Sequence, residues 1–353
     1  MEFAPMVSTA TATLTVGPLI GRGSYGVVHK GRLNRRDVAV KIVPLDGTGA
    51  AAEVRKEVSL MRTAAHDCTV TLLAEFEFQE NAWLVLELCE MGSVADLLAH
   101  RGGSTLTEPQ VAAVGSATAR GLAHLHDNLH LVHRDIKAGN LLLTASGEVK
   151  LADFGIARAT DGAAAKGTTI GSPLWMAPEM IEEGRLDAAV DVWALGITLI
   201  EMAEGAPPLA HLRPQHYAMF RIVTDPPPKL KEPTAWSADF VTTLAMCLRK
   251  PYAERPKARE LAALGWCTRA SSAALLPLCA GASGAGGPLA DAPMPVDGTS
   301  QMAWLPSLLG PGPPLEGLLP VCRVVGRSAA WLNGGELTSD TDATDCGSAN
   351  ASR

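Results

Sequence analysis

The sequence predicts an α+β protein with two lobes, a mostly β lobe followed by a mostly helical lobe, and a disordered C-terminal tail. Short runs of alternating apolar residues predominate up to about residue 88, whereas helical patterns dominate from there to about residue 266. Beyond residue 266 the charged fraction falls from about one residue in five to about one in eight, and Ala, Gly, Pro, Leu and Ser dominate.

The tail is interrupted by prolines and shows no sustained helical spacing of apolar residues, which predicts disorder. A short docking segment near Trp304 or Trp331 is the alternative interpretation. The predicted regions are a flexible N-terminus at 1–11, a two-lobed domain at 12–266 with its lobes at 12–90 and 91–266, and the tail at 267–353.

The composition argues against several classes of function. The 353 residues carry a net charge of -7, so no broad field attracts a nucleic-acid backbone or an anionic membrane. Seven cysteines without a CxxC pair indicate reduced thiols, and no basic residue precedes Arg22 as an export signal would require. The longest uncharged stretch, 270–290, is broken by prolines and glycines. We expect a cytoplasmic protein with no membrane span and no nucleic-acid partner.

The first lobe begins with short alternating apolar runs of the length and pattern typical of strands. One longer segment among them has helical spacing instead. The predicted strands are 14–20, 27–33, 38–43, 69–78 and 83–88, and the predicted helix is 50–64.

A GxGxxG segment lies between the first two strands, with Ile20 before it and Val27 after it. Glycines at Gly21, Gly23 and Gly26 would let the backbone fold closely over phosphates, where a side chain would obstruct. An ordinary glycine hairpin gives the same string. A strand rather than a helix follows, which disfavours a dinucleotide site.

The third strand carries Ala39 and Lys41 on one face, because strand side chains alternate with a period of two. The lysine is either a site residue or a surface side chain on an edge strand. Glu53 and Glu57, four residues apart on one face of the predicted helix, could each pair with it.

A polar loop in the second lobe, residues 133–140, is more specific. It gathers the Asp135 carboxylate, the Lys137 ammonium and the Asn140 amide, which could supply a proton acceptor, a phosphate-neutralising cation and a metal-binding oxygen. Asp153 follows thirteen residues later, after a strand-like run. A carboxylate beside an amide oxygen suits a Mg²⁺ ion that carries substrate phosphates.

The chain enters its most apolar predicted helix at the sequences Ala-Pro-Glu, 177–179, and Asp-Val-Trp, 191–193, and this helix is expected to end near Gly205. Its uncharged run, 192–200, is too short to cross a bilayer, so we expect a helix in the core.

Taken in order, these segments resemble the signature elements of eukaryotic protein kinases: the glycine loop, VAVK, HRDxKxxN, DFG, APE and DxW, with Arg255 at the position of the late arginine that pairs with the APE glutamate. Within that family the chain resembles the STE-group serine/threonine kinases. The segments GSVADL, HRDIKAGN, IGSPLWM and IEMAEG look most like the Hippo/MST-like branch.

The resemblance implies an ATP-dependent kinase that uses Mg²⁺ to transfer the γ-phosphoryl group to Ser or Thr hydroxyls of protein substrates in a signalling cascade. It implies that Lys41 holds the α- and β-phosphates and that Glu57 is its partner. The other implied roles are Asp135 and Lys137 in catalysis, Asn140 and Asp153 as magnesium ligands, Gly21, Gly23 and Gly26 over the phosphates, and Ile20, Val27, Ala39, Leu86, Glu87, Cys89 and Leu142 around adenine.

Arg134 precedes the implied catalytic aspartate, a pattern that in this family accompanies control by phosphorylation of the activation segment. Thr168 aligns with the phosphorylated threonine, and Thr169 is the alternative. Lys150 or Arg158 could join Arg134 in binding the phosphate. An upstream kinase or a second copy of this chain would supply the phosphate.

Two other functions remain open at this stage. A pseudokinase scaffold would bind partners without catalysis, although the site positions are all filled in this sequence. A small-molecule phosphotransferase of the same fold is disfavoured by the segments that shape a peptide site in protein kinases. The tail also lacks the heptad-bearing helix through which many Hippo-like kinases dimerise, so partners of that helix are not expected.

Overall fold

The structure is a computed structural model, and it describes the chain in nine stretches. These are residues 6–8, 13–23, 26–45, 50–100, 105–154, 158–159, 172–184, 187–280 and 323–324.

Five strands of the first lobe form a seven-stranded antiparallel sheet with two short outer strands, β1 from the segment predicted as a flexible N-terminus and β11 from the tail, in the order β1-β2-β3-β4-β6-β5-β11. Two further pairs, β8 with β9 and β7 with β10, lie in the second lobe. The bounds are β1 Met6–Ser8, β2 Thr13–Gly23, β3 Gly26–Leu33, β4 Arg36–Pro44, β5 Leu72–Phe78, β6 Asn81–Glu87, β7 Leu131–Val132, β8 Leu141–Leu143, β9 Val149–Leu151, β10 Arg158–Ala159 and β11 Arg323–Val324.

One helix belongs to the first lobe and the others to the second. Their bounds are α1 Ala50–Thr63, α2 Val94–His100, α3 Glu108–Ala123, α4 Pro178–Glu182, α5 Ala189–Glu204, α6 Gln215–Thr224, α7 Ala238–Cys247, α8 Ala258–Ala262, α9 Gly265–Thr268 and α10 Leu276–Ala280. Within the described part of the chain, no helix has both the length and the apolarity that crossing a bilayer requires.

The five central strands, β2 to β6, are those expected from the alternating apolar runs, and the bounds differ by only a few residues. Their alternation places one set of side chains in a common core that includes Leu14, Val38, Val40 and Trp83. Helix α1 buries Glu57 on the same face as Val54, Val58 and Met61, four positions at helical spacing. This burial turns the Glu57 carboxylate toward the sheet.

The second lobe is built around α3 and α5. Helix α5 is buried along nearly its whole length and ends at Gly205, whose φ of 81° is the left-handed cap that glycine adopts readily. Gly115 lets α3 approach α5 closely, because a Cβ there would lie 2.9 Å from Leu199 Cδ2. This core positions the polar loop at 133–140.

The helical lobe extends beyond the boundary predicted at 266. Helices α9 and α10 continue the described fold to Ala280. The buried side chains in this extension are Cys267, Leu275, Leu278 and Cys279. The sequence missed this extension because its low charge and lack of long periodicity resemble a linker, whereas its few apolar side chains pack against the lobe. Residues 281–322 and 325–353 lie outside the described residues.

Candidate active site

Lys41 of β4 and Glu57 of α1 form a close ion pair. Lys41 Nζ lies 2.6 Å from Glu57 Oε1, and the side chains are 13% and 7% exposed. The sequence left Glu53 and Glu57 open as partners of this lysine, and the structure selects Glu57. The pair fixes the distance between α1 and the sheet, because a buried charge is stable only with a partner.

Asp153 approaches the same lysine from the second lobe. Its Oδ1 lies 4.0 Å from Lys41 Nζ, and its backbone has φ of 65°. The next residue, Phe154, is buried and packs edge-to-face on the His133 ring at 5.4 Å between centroids. His133 Nε2 donates to the Ala152 carbonyl at 3.1 Å, which holds the backbone before Asp153.

Asp135 is the centre of a polar network. Lys137 Nζ and Asn140 Nδ2 each donate to its Oδ2 at 2.8 Å, and the Ser172 hydroxyl donates to Oδ1 at 2.8 Å. Lys137 Nζ also lies 2.7 Å from Ser172 Oγ. Burial alone would raise the pKa of Asp135, but the Lys137 charge and the hydrogen bonds from Lys137, Ser172 and Asn140 lower it below its usual value. The carboxylate is therefore ionised at neutral pH and can accept a hydrogen bond from a hydroxyl group.

Asp191, at the start of α5, holds the loop that carries Asp135. It is fully buried and accepts hydrogen bonds from the backbone N–H groups of His133 and Arg134 at 2.8 and 2.7 Å. His126 Nε2, in a π-helical turn after α3, lies 2.8 Å away. Burial would raise the pKa of Asp191, but the hydrogen bonds and charge of His126 and the Arg134 amide lower it. These bonds stabilise Arg134 in a left-handed conformation with φ of 74°.

The glycine-rich segment is the tip of the β2–β3 hairpin, with Gly21 and Gly23 in β2 and Gly26 opening β3. Gly26 passes so close to β4 that a Cβ there would lie 2.1 Å from the Ile42 carbonyl oxygen. At Gly21 the nearest atom to such a Cβ is 3.8 Å away. Of these two glycines, Gly26 is the one that packing against β4 requires.

The residues expected around adenine lie on adjacent strands. Ala39 of β4 stands opposite Leu86 of β6 in the sheet register, and Val27 and Ala39 are buried. Ile20 of β2 is half-buried, as is Leu142 of β8, which bridges to Ser93 after the segment joining the lobes. The structure thus makes Ala39 and Leu86 neighbours in the sheet and places Leu142 beside Ser93, and a common adenine site for the whole set stays a prediction.

Two members of that set have side chains engaged elsewhere. Glu87 accepts a hydrogen bond from the Thr71 N–H at 2.6 Å and lies 3.6 Å from Lys150 Nζ, so its side chain is engaged away from a nucleotide. The Cys89 thiol is buried, and burial raises its pKa to about 12. It is therefore a neutral packing group.

The predicted regulatory residues are only partly described. Thr168 and Thr169 lie outside the described residues, and of Arg158 only the backbone is described. Arg134 is buried next to the site. Lys150, considered as a phosphate ligand, instead contacts Glu87 and Glu148 at 3.6 and 3.9 Å beside the segment that joins the lobes.

A second buried ion pair supports the substrate side. Arg255 donates to both oxygens of Glu179 in α4 at 2.6 and 2.8 Å, and its guanidinium lies 5.0 Å from the centre of the Trp193 ring. The sequence predicted this pairing through the late arginine.

Glu201 of α5 accepts hydrogen bonds from Ala138 N and Trp175 Nε1 at 3.1 and 2.9 Å, and burial raises its pKa.

Sequence reasoning missed two roles at this site. Ser172 lies in the IGSPLWM segment and Asp191 opens the predicted core helix, and the sequence indicates neither as a partner of the polar loop at 133–140. The available signal was a carboxylate at the start of the most apolar helix, since a charged group there must find buried partners. No local pattern indicates the Ser172 contact, which joins residues 37 positions apart in the chain.

The donor set fits a hard divalent cation. Asn140 uses Nδ2 to bond Asp135, which leaves the amide oxygen as its remaining polar atom, and Asp153 adds a carboxylate that is 38% exposed on its side chain. Carboxylate and amide oxygens are the ligands that Mg²⁺ accepts in phosphate-binding sites.

These features together define a protein kinase. The first lobe is a five-stranded antiparallel core sheet with one helix, the second lobe is helical, and the junction of the lobes carries Lys41, Asp135 and Asp153. Residues 14–267 match the protein kinase domain family, and the chain belongs to it. The family uses ATP and a divalent metal.

Similar proteins include the serine/threonine-protein kinase cst-1 of Caenorhabditis elegans, 44% identical over 69% of this chain and 48% of that protein. The serine/threonine-protein kinase hippo of Drosophila melanogaster is 42% identical over 69% of this chain and 36% of that protein. Serine/threonine-protein kinase 1 of Arabidopsis thaliana is 43% identical over 69% of this chain and 29% of that protein. The predicted resemblance to Hippo-like kinases is confirmed, and the matches span half or less of these relatives.

Proposed function

We propose that this chain is an ATP-dependent serine/threonine kinase that phosphorylates protein substrates in a signalling cascade. The observation that carries the proposal is the Asp135 network, in which a carboxylate already holds a serine hydroxyl at 2.8 Å beside a lysine cation. That arrangement is the one needed to orient an acceptor hydroxyl and remove its proton. The names of the similar kinases support the choice of Ser and Thr.

In this proposal Asp135 orients the acceptor hydroxyl and accepts its proton, and Lys137 balances charge on the phosphoryl group. Lys41, held by Glu57, binds the other phosphates, and Gly21, Gly23 and Gly26 cover them with backbone. Bound Mg²⁺ would neutralise phosphate charge, and Asn140 and Asp153 would hold it. Catalysis then depends on positioning and electrostatics. The Lys41–Glu57 ion pair and the Asp135 network, which form without a substrate, provide both.

The test is mass spectrometry of the purified chain and a peptide mixture after incubation with ATP. Asp135→Asn should lower the rate by about 10²–10⁴-fold, because it removes the proton acceptor but keeps the shape. Asp153→Ala should abolish phosphate transfer. Asp37→Asn, at an exposed aspartate in β4, is the matched control. Labelling of tyrosine alone would refute the proposed specificity, and equal ATP consumption in the parent and Asp135→Asn proteins would favour a scaffold.

We further propose that phosphorylation of Thr168 activates the chain through Arg134. Support comes from the Asp191 bonds that hold the Arg134 backbone next to Asp135. Thr168→Ala should lower activity strongly and Thr169→Ala less. Adding the unmodified Asp135→Asn protein to the active protein tests whether one copy phosphorylates another. Full activity of Thr168→Ala would contradict this proposal.

We propose a cytoplasmic location for the chain. The five cysteines in the described stretches, Cys68, Cys89, Cys247, Cys267 and Cys279, are free and buried, as expected for a reducing compartment. Fluorescence microscopy of a tagged chain tests this location.

A further inference from the structure

Strand β5 ends the five-stranded core sheet on the side of α1. An outer strand presents unpaired N–H and C=O groups, which readily accept another strand. Here the position is filled by β11, which pairs antiparallel with β5 so that Arg323 lies opposite Glu75 and Val324 opposite Ala74. The strand that covers this edge comes from the C-terminal part of the same chain, far outside the kinase domain match.

Charge in the sheet favours this register. Glu75 is half-buried, and its Oε1 accepts a hydrogen bond from Arg62 Nη2 of α1 at 2.6 Å. Its Oε2 is buried and has no hydrogen-bond partner among the described residues. The register places an arginine at the position directly across from it, and opposite charges at such positions attract.

The sequence of the segment also suits an added strand. Residues 321–325 read VCRVV, in which three of the five residues are valine, inside a tail otherwise rich in Gly, Pro, Ala and Ser. Valine is favoured on pleated, half-buried surfaces, and this run contains neither proline nor glycine.

The segment can reach β5 from the point where the helical lobe ends. Cys279 of α10 lies 3.6 Å from the Thr144 carbonyl oxygen, next to the β8–β9 hairpin. Leu151 of β9 in turn bridges to Thr69, three residues before β5 begins. A chain of 42 residues, the number from 281 to 322, can span about 30–40 Å without being fully extended, so its length allows pairing within one molecule.

We propose that the outer edge of β5 is a docking site for the VCRVV segment of the same chain, which contributes Arg323 and Val324 to the sheet as β11. The docked strand joins the sheet at Glu75, the residue that Arg62 connects to α1, and α1 also carries Glu57. Docking therefore holds the edge of the sheet against the helix that positions Lys41. The contact exists whether or not the chain transfers phosphate.

Hydrogen exchange of the full chain, followed by mass spectrometry of peptides covering residues 72–78, tests the proposal. Val324→Pro should speed exchange in these peptides about tenfold, because proline has no N–H and cannot continue the ladder. Ala329→Pro, five residues further along, should leave exchange unchanged. Arg323→Glu should speed exchange through repulsion with Glu75, and Arg327→Glu is its matched control.

Selective loss of protection at 72–78 in the Val324→Pro and Arg323→Glu proteins supports the assignment. Equal exchange in all four variants and the parent overturns the assignment. A loss of protection spread over both lobes also overturns it. Protection that falls when the parent protein is diluted tenfold would assign the edge to a second copy and would also overturn docking within one chain. Peptides from α5 report the global stability in the same experiment.

Discussion

Ser172 shows how one side chain prepares the site before a substrate arrives. Its hydroxyl bridges Asp135 Oδ1 and Lys137 Nζ at 2.8 and 2.7 Å, so the carboxylate and the ammonium keep a fixed separation. Without this bridge, Lys137 would remain bonded only to the other carboxylate oxygen. Ser172 is therefore a positioning residue in the proposed reaction.

We expect Ser172→Ala to lower kcat by about 10–100-fold, the effect of losing one hydrogen bond to a charged group. KM for ATP should change little, since Ser172 has no contact with Lys41 or the glycine segment in the structure as described. Ser172→Thr keeps the hydroxyl and should restore most of kcat. Steady-state kinetics of the three proteins check this, and equal loss in both variants would contradict a role for the hydroxyl group.

The sequence predicted most of this site because the chemistry needs particular residue types at short spacing. Asp135, Lys137 and Asn140 lie within one loop, and their convergence follows from local geometry. Contacts that join distant segments, such as Ser172 with Asp135, depend on tertiary packing and leave no periodic signal. The choice between Glu53 and Glu57 also required the buried face of α1.

At the scale of elements, the β2–β3 hairpin combines two kinds of glycine. Gly26→Ala should destabilise the protein by about 1–3 kcal/mol, because its new Cβ would overlap the Ile42 carbonyl and force β4 to shift. Gly21→Ala meets only an ordinary contact, and we expect a change within about 0.5 kcal/mol. Thermal unfolding of both variants measures the difference. Equal destabilisation would show that packing against β4 is not the constraint.

The loop between α1 and β5 is joined to the end of α3 by two stacked histidines. The His66 and His124 rings lie 4.7 Å apart and are nearly parallel. Burial, followed by the charge of His66, lowers the pKa of His124 below its usual value. The folded state thus favours neutral His124, so its contribution to stability is complete above the pKa of the unfolded chain, about 6.5, and is lost as the pH falls from there through the lower pKa of the folded state.

We expect His124→Phe, which keeps a stacking ring without a titrating group, to reduce the loss of stability between about pH 7 and pH 5. Melting temperatures of the parent and variant at several pH values check this. His211→Phe, the same exchange at an exposed histidine, should leave the pH dependence unchanged. Parallel curves for all three proteins would exclude the stacked pair as a source of acid sensitivity.

For the whole molecule, the described helical lobe continues past residue 266 to Ala280. A chain of residues 1–266 loses the buried side chains of Leu275, Leu278 and Cys279 and should be less stable than a chain of 1–280 by about 2 kcal/mol or more. The 1–280 chain should melt within a few degrees of the full protein. Thermal unfolding of the three lengths checks the boundary, and equal stability of 1–266 and 1–280 would contradict it.

The global fold was predictable because strand and helix periodicities change once along the chain, near residue 88, and the motif order is specific. The short extension to Ala280 was not, since a few apolar residues without long periodicity gain their structure only from the surface they cover. Pairing of β11 with β5 likewise depends on an edge formed by residues about 250 positions earlier.

Asp153 and Ser172 are the two ends of one stretch of chain, and both ends lie at the reaction centre: the first faces Lys41, and the second holds Asp135. The chain between Phe154 and Ser172 therefore begins and ends beside the groups proposed for catalysis. Phosphorylation at Thr168, as proposed above, would fall four residues from the serine whose hydroxyl bonds Asp135, so a shift of that serine would change the Asp135 network directly.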